Sequence, residues 1–208
     1  MLALDHIVIA SKDPAHAAHQ LALQHGIKIV EGGRHEFWGT YNYLAYFAND
    51  CYVEWLGIFD KPVAEQSSNP LIKQLVTTLQ QNEELPVQIA LRTDHLGKFI
   101  DQFQASSMKY TGPVAGHRRK PDGTNLSWKM LFPQGQSNLP FLIEWDNQIN
   151  KPDNAQFLNK QQIKSVAYPF PSNNFNNIYQ EQIKNDGIIL ANTYLHLRKE
   201  KEIDFQIK

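Results

Sequence analysis

Cysteine is almost missing. Cys51 is the only one in 208 residues, so neither an intramolecular disulfide nor a cysteine-built zinc cage can form. Excess charge of one sign is missing too: 20 Lys and Arg stand against 21 Asp and Glu, a net charge of -1. Without a basic footprint, no nucleic-acid partner is expected. No apolar run approaches the roughly 18 residues of a membrane span. Met1-Leu2-Ala3-Leu4-Asp5-His6 shows no basic stretch followed by an apolar one. The expectation is a soluble protein of a reducing cytoplasm, without a membrane partner. What is present, 42% hydrophobic and 20% charged residues, is globular composition. A chain this long buries roughly 70% of its extended surface.

Leu4 to Ala10 reads as a strand. Asp13-Pro14 opens a helix that Gly26 ends, since Asp accepts orphan N–H groups and Gly adopts the left-handed turn. Ile27 to Val30 reads as a short strand and Glu31 to Gly39 as a loop. Tyr41 to Phe47 and Cys51 to Phe59 are strands around the turn residues Asn49-Asp50. Asn69-Pro70 opens a helix with Leu71, Ile72, Leu75, Val76 and Leu79 at helical spacing, read as a connector. Pro86 to Thr93 is the next strand, followed by a helix from His95 to Ala105 capped by Asp94. Met108 to Tyr110 is a short strand. Leu126 to Phe132 and Pro140 to Trp145 are the last two of this series.

The two series match in order. His6 to Asp13 aligns with Gln88 to Asp94, Gly39-Thr40 with Gly123-Thr124, Phe47 with Phe132, and Val53-Glu54-Trp55 with Ile143-Glu144-Trp145. Each reads β-α-β-β-β, so the chain carries a repeated module. The remainder is rich in Asn, Gln and Lys. Ile163 to Tyr168, a helix from Asn173 to Lys184, and strands at 188–198 and 203–207 give β-α-β-β, a partial third copy.

Tandem β-α-β-β-β modules with His on the first strand and Glu on the last resemble the vicinal oxygen chelate superfamily. Leu4-Asp5-His6-Ile7-Val8-Ile9 is similar to the opening of many of its modules. Gly32-Gly33-Arg34-His35 with Gly39-Thr40-Tyr41-Asn42 is similar to one glyoxalase-like branch. The resemblance implies an α+β fold over residues 1–150, two modules at about 4–60 and 86–148 whose sheets curve around one cleft. Residues 151–208 are then a connector and the partial unit. In metal-binding members the ligands come from the first and last strands of both modules.

Strand alternation supplies candidates. His6, Glu54, Gln88 and Glu144 each sit opposite the heavier apolar set of their strand. Converged in the cleft, they would form a mixed N and O donor set for a divalent ion: Zn, Mn, Fe, Ni or Mg. Glu54 and Glu144 are then the catalytic carboxylates. Gln88 departs from the His that metal-binding relatives often carry. Arg92, His35, Arg118, Tyr41 and Trp128 are candidate substrate contacts. Plain alternatives stand beside each reading. His6 could be a hydrogen-bonded structural residue, the two Glu could face solvent, and Arg92 could hold a salt bridge. His16 and His19 read as surface, and Cys51 as a buried inert thiol.

Three functions follow. One is a metal-dependent lyase, isomerase or dioxygenase acting on a small oxygen-rich substrate. The second is a metal-free small-molecule binding protein, and the third a structural or regulatory dimer. No nucleotide cofactor is expected. A homodimer is one way to cover the partial third unit.

Overall fold

The structure, a computed structural model, describes the chain except for residues 82–83, 120–124, 136–137, 148, 171–174 and 199–201. The first module is β1 (Ala3–Ala10), α1 (Pro14–His25), β2 (Val30–His35), β3 (Thr40–Phe47) and β4 (Cys51–Ile58). Two helices follow, α2 (Lys61–Gln66) and α3 (Pro70–Gln80). The second module is β5 (Pro86–Arg92), α4 (Leu96–Ala105), β6 (Tyr110–Arg119), β7 (Asn125–Pro133) and β8 (Phe141–Trp145). The rest is β9 (Leu158–Asn159), β10 (Ile163–Pro169), α5 (Phe175–Tyr179), β11 (Gly187–Ile189), β12 (Tyr194–Arg198) and β13 (Asp204–Ile207).

The main sheet runs β2-β3-β4-β1-β5-β8-β7-β6, with β9 beside β3. Within each module the first strand lies parallel to the last, β1 to β4 and β5 to β8. The modules join antiparallel at β1 and β5. The repeat in the sequence is therefore a repeat in topology, and the fold is α+β with a curved sheet. The sheet curls until its outer strands meet: Arg118 of β6 hydrogen-bonds the Gly32 carbonyl of β2.

Local signals explain several elements. Asp13 accepts from the His16 N–H at 3.0 Å, and Gly26 ends α1 at φ 62°. Asn69 accepts from the Leu71 N–H at 3.0 Å. Other readings need correction. β2 occupies Val30–His35, not 27–30, and includes what read as a glycine loop. Gly32 belongs there because Asn42 Oδ1 occupies the space a Cβ would need. The N-cap of α4 is His95, without a side-chain bond, rather than Asp94. β6 spans Tyr110–Arg119 where only a three-residue strand was expected. It carries Pro113, which is tolerated because β6 ends the sheet order as an edge strand. Gly123-Thr124 of the repeat lies outside the described residues.

Both faces of the sheet are covered. One face carries Ile7, Val53, Trp55, Ile89 and Leu142 against Ala18 of α1 and Phe99 and Phe103 of α4. The concave face carries Val8, Ala10, Leu56, Phe141 and Ile143 against Leu71, Ile72 and Leu75 of α3. The segment read as a connector is thus a roof over the concave side. Burying each of its three large apolar side chains contributes about 2 kcal/mol.

Strands β10 to β13 form a second sheet, β11-β12-β10-β13. β10 runs parallel to β12 and antiparallel to β13, as β1 does to β4 and β5. The stretch read as one strand over 188–198 divides into β11 and β12, and the helix, described over Phe175–Tyr179, ends before the expected Lys184. The unit does not stand apart. Tyr168, Phe175, Ile188 and Leu195 share the apolar cluster of Ile7 and Val53. The turn before β12 also clamps β1. Asn192 Oδ1 accepts from the Leu4 N–H at 2.8 Å, and its Nδ2 donates to the carbonyls of Leu4 and Asn49 at 2.8 Å each. Asn192→Ala leaves these backbone groups unpaired and is expected to cost about 2 kcal/mol, read by urea denaturation. An unchanged midpoint would refute the clamp. Among the described residues, no helix is long and apolar enough to cross a membrane.

Candidate functional site

The site begins with an irregularity in β1. Leu4 faces Leu91 and His6 faces Ala90, so Asp5 is an extra residue in the ladder. A bulge of this kind breaks strand alternation and re-aims a side chain. Asp5 and its neighbour His6 thereby meet, Asp5 Oδ1 lying 2.7 Å from His6 Nδ1. Asp5 is 1% exposed. Its Oδ2 accepts from Trp145 Nε1 at 2.8 Å and from Arg92 Nη1 at 3.1 Å. Burial pushes the Asp5 carboxyl up, but the His6 hydrogen bond, the His6 and Arg92 charges and the Trp145 indole outweigh it and hold it below the usual range.

His6 is 3% exposed and stacks on Tyr52 at 4.6 Å. With Nδ1 turned to Asp5, the other ring nitrogen is turned away from it. It faces Glu54: Nε2 to Oε2 is 3.5 Å. Glu54 Oε1 in turn accepts from Asn42 Nδ2 at 2.5 Å. Asn42 is 4% exposed, and its Oδ1 has no partner. The result is one connected line, Arg92–Asp5–His6–Glu54–Asn42, crossing the middle of the sheet.

This line opens into a cavity of about 40 Å³ under the α3 roof, lined also by His35, Trp38, Arg118 and Trp128. His35 Nδ1 lies 3.1 Å from Thr40 Oγ1. Burial pushes the His35 imidazole down to about 4, with the Arg118 charge adding to the fall and Glu54 opposing it. His35 is therefore neutral at pH 7, while Glu54 and the Arg118 guanidinium bring charge to the same space.

Five sequence candidates come together here: His6, Glu54, His35, Arg118 and Trp128. Four do not. Glu144 shares the strand face of Leu142, which packs in the cluster on the other side of the sheet; Phe141, Ile143 and Trp145 face the cavity instead. The parity failed on β8 because both faces are apolar, so the heavier set does not mark the helix side. Gln88 sits where the β1–β5 register slips. It donates to Asn138 Oδ1 and the Leu139 carbonyl at 3.0 and 2.9 Å and accepts from the Tyr168 hydroxyl at 2.8 Å. Arg92 is bound to Asp5 rather than open to substrate. Tyr41 lies against the Gly57 position, on which Pro14 also packs, and it is Asn42 that lines the cavity. Asp5, Asn42, Tyr52 and Asn150 were missed. Cys51 is a buried thiol that burial pushes up to about 12.

The donor set suggested for a divalent ion therefore does not assemble. Gln88 has its amide committed elsewhere, and Glu144 is across the sheet. Among the described residues, no three His, Cys, Asp or Glu side chains form a group that could hold a metal ion. The described residues at these positions do not form the donor set that the resemblance implies for a divalent ion.

Paired β-α-β-β-β modules around one concave cavity define the vicinal oxygen chelate fold. A family model described as a glyoxalase-like domain matches residues 4–179, and the chain belongs to that family. No curated protein matches. Among solved structures, a hypothetical protein from Staphylococcus aureus is similar over 100% of this chain and 91% of its own, at 20% identity and a TM-score of 0.80. A hypothetical protein from Bacillus halodurans C-125 is similar over 74% of this chain and 99% of its own, at 14% identity and a TM-score of 0.51. A variant methylmalonyl-CoA epimerase of Streptomyces coelicolor, in complex with 2-nitronate-propionyl-CoA, matches over 73% of this chain and 100% of its own, at 17% identity and a TM-score of 0.51. At these identities the likeness is one of fold.

Proposed function

We propose that this protein is an isomerase or lyase that moves a proton at a carbon next to a carbonyl of a small-molecule substrate. The observation that carries the reading is the buried Asp5–His6–Glu54 line ending at the cavity. Glu54 accepts the substrate proton on Oε2, the oxygen facing His6 Nε2. His6 then holds or returns it, while Asp5 balances the positive imidazolium from behind, 2.7 Å away. Asn42 fixes the Glu54 carboxylate through Oε1. Neutral His35 is suited to hydrogen-bond a carbonyl oxygen that gains charge, and the nearby Arg118 cation favours that charge. Epimerisation, the activity named for one structural neighbour, is a proton transfer of this type. A metal-dependent ring-cleaving reaction draws no support from the donor set.

The test is proton exchange. The full chain is incubated in D₂O with 2-oxo acids, hydroxy acids and acyl thioesters, and C–H loss is followed by NMR. The wild type should exchange at least one member, and Glu54→Gln should slow it about 100-fold or more. Binding of a member without exchange would overturn the enzyme reading and leave the cleft as a sequestering site.

A further inference from the structure

A cavity of 40 Å³ has room for about three water molecules and for no organic substrate. It adjoins a groove of about 480 Å³, a volume within the usual range for small ligands. Arg118 lines both spaces. The groove has apolar walls at Ile29, Val30 and Phe157, with Tyr46 beside them, and its acids Glu31 and Asp153 lie with Lys151.

Arg118 holds the seam of the curled sheet, yet its hydrogen-bond partners among the described residues, the Gly32 carbonyl, Asn150 and the Tyr46 hydroxyl, are neutral. Nη1 donates to the Gly32 carbonyl, and Nη2 donates to Asn150 Oδ1 at 3.1 Å. Lys151 differs, being paired with Asp50 at 2.9 Å. A guanidinium held by neutral oxygens exchanges them readily for an anion, because charge-assisted bidentate pairing is stronger. One residue further in, Asn42 Oδ1 stands against Gly32, buried and without a partner. Buried acceptors are almost always satisfied in folded proteins, so this one calls for a donor from outside the chain.

We propose that the ligand of this cleft is a small hydroxycarboxylate. Its carboxylate displaces the Gly32 carbonyl and Asn150 Oδ1 from Arg118, its hydroxyl donates to Asn42 Oδ1, and its carbon body lies along the groove. Arg118 is then the specificity-determining residue, and its release from Gly32 opens the seam between groove and cavity. The inference rests on the proposed function in taking this cleft for the substrate site, and it adds the class of substrate.

The test is calorimetric titration of the full chain with lactate, malate and 3-phenyllactate. Each is compared with its methyl ester and with the acid lacking the hydroxyl. At least one hydroxy acid should bind about tenfold tighter than both analogues. Arg118→Gln should bring the acid to the level of its ester, and Arg118→Lys should fall between. Asn150→Ala frees one side of the guanidinium and should tighten the acid severalfold, a gain that misfolding cannot produce. Equal binding of acid and ester, survival of the acid preference in Arg118→Gln, weaker binding in Asn150→Ala, or no binding of any acid would overturn the inference. Glu54→Gln separates the two readings, since it should keep the acid preference and lose exchange. Acid preference without exchange in the wild type would sink proton transfer alone.

Discussion

Asp5→Ala is expected to cost about 3 to 5 kcal/mol of folding stability, the usual penalty for removing one partner of a buried ionic network. The reason lies in what the carboxylate satisfies. The substitution strands the Arg92 guanidinium, the His6 Nδ1–H and the Trp145 indole N–H together. Arg92 keeps one neutral partner, the Asp50 carbonyl at 3.0 Å. Asp5→Asn retains the shape and one acceptor oxygen, so its loss should be smaller. Urea denaturation at pH 7 measures both. A loss under about 1 kcal/mol for the alanine variant would mean that water replaces the carboxylate and that the three donors were never coupled through it.

Acidification from pH 7 to pH 4 is expected to remove about 3 kcal/mol of stability through His35 alone. The folded imidazole is held down to about 4 from an ordinary 6.5. Below pH 6.5 the unfolded chain takes up a proton at this position and the folded chain does not. Stability is therefore complete above pH 6.5 and falls as the pH drops toward 4. Unfolding free energies of the wild type and His35→Gln, measured across that range, isolate the effect. The variant should show the shallower slope, whatever its absolute stability at pH 7. Parallel curves would place the ring in water and refute its burial in the cavity.

Periodicity and the internal repeat made the two modules legible; the parallel pairing of first and last strands in each is added by the structure. Alternation was a sound guide to His6 and Glu54 because β1 and β4 are regular at and after residue 6. It could not show Asp5, since the rule sends the neighbour of His6 to the opposite face and only the bulge brings it back. Tyr41 and Glu144 stay outside the cavity, and Asn42 and Trp145 line it. On a sheet covered on both sides, polarity and bulk no longer mark which side is which. The amphipathic pattern of α3 announced a helix but not the surface it covers. That left invisible the small size of the inner cavity, which Leu71 and Ile72 line. Arg118 was legible as a cation in a basic cluster. Its position across the seam was not, because the strand was read only at 108–110 and β6 runs on to Arg119.

The clamp between Asn192 and Leu4 joins positions 188 apart in the chain. Contacts this distant form late, because a long loop must close before they are rewarded. During synthesis, at about 5 to 20 residues per second, β1 therefore waits roughly ten seconds or more for the residue that ties down its N-terminal end. Until then β1 can pair with β4 and β5, but the amide and carbonyl of Leu4 have no Asn192 to meet. The strand that carries Asp5 and His6 is made well before the turn that holds Asn192, and it is completed only once that turn has followed it.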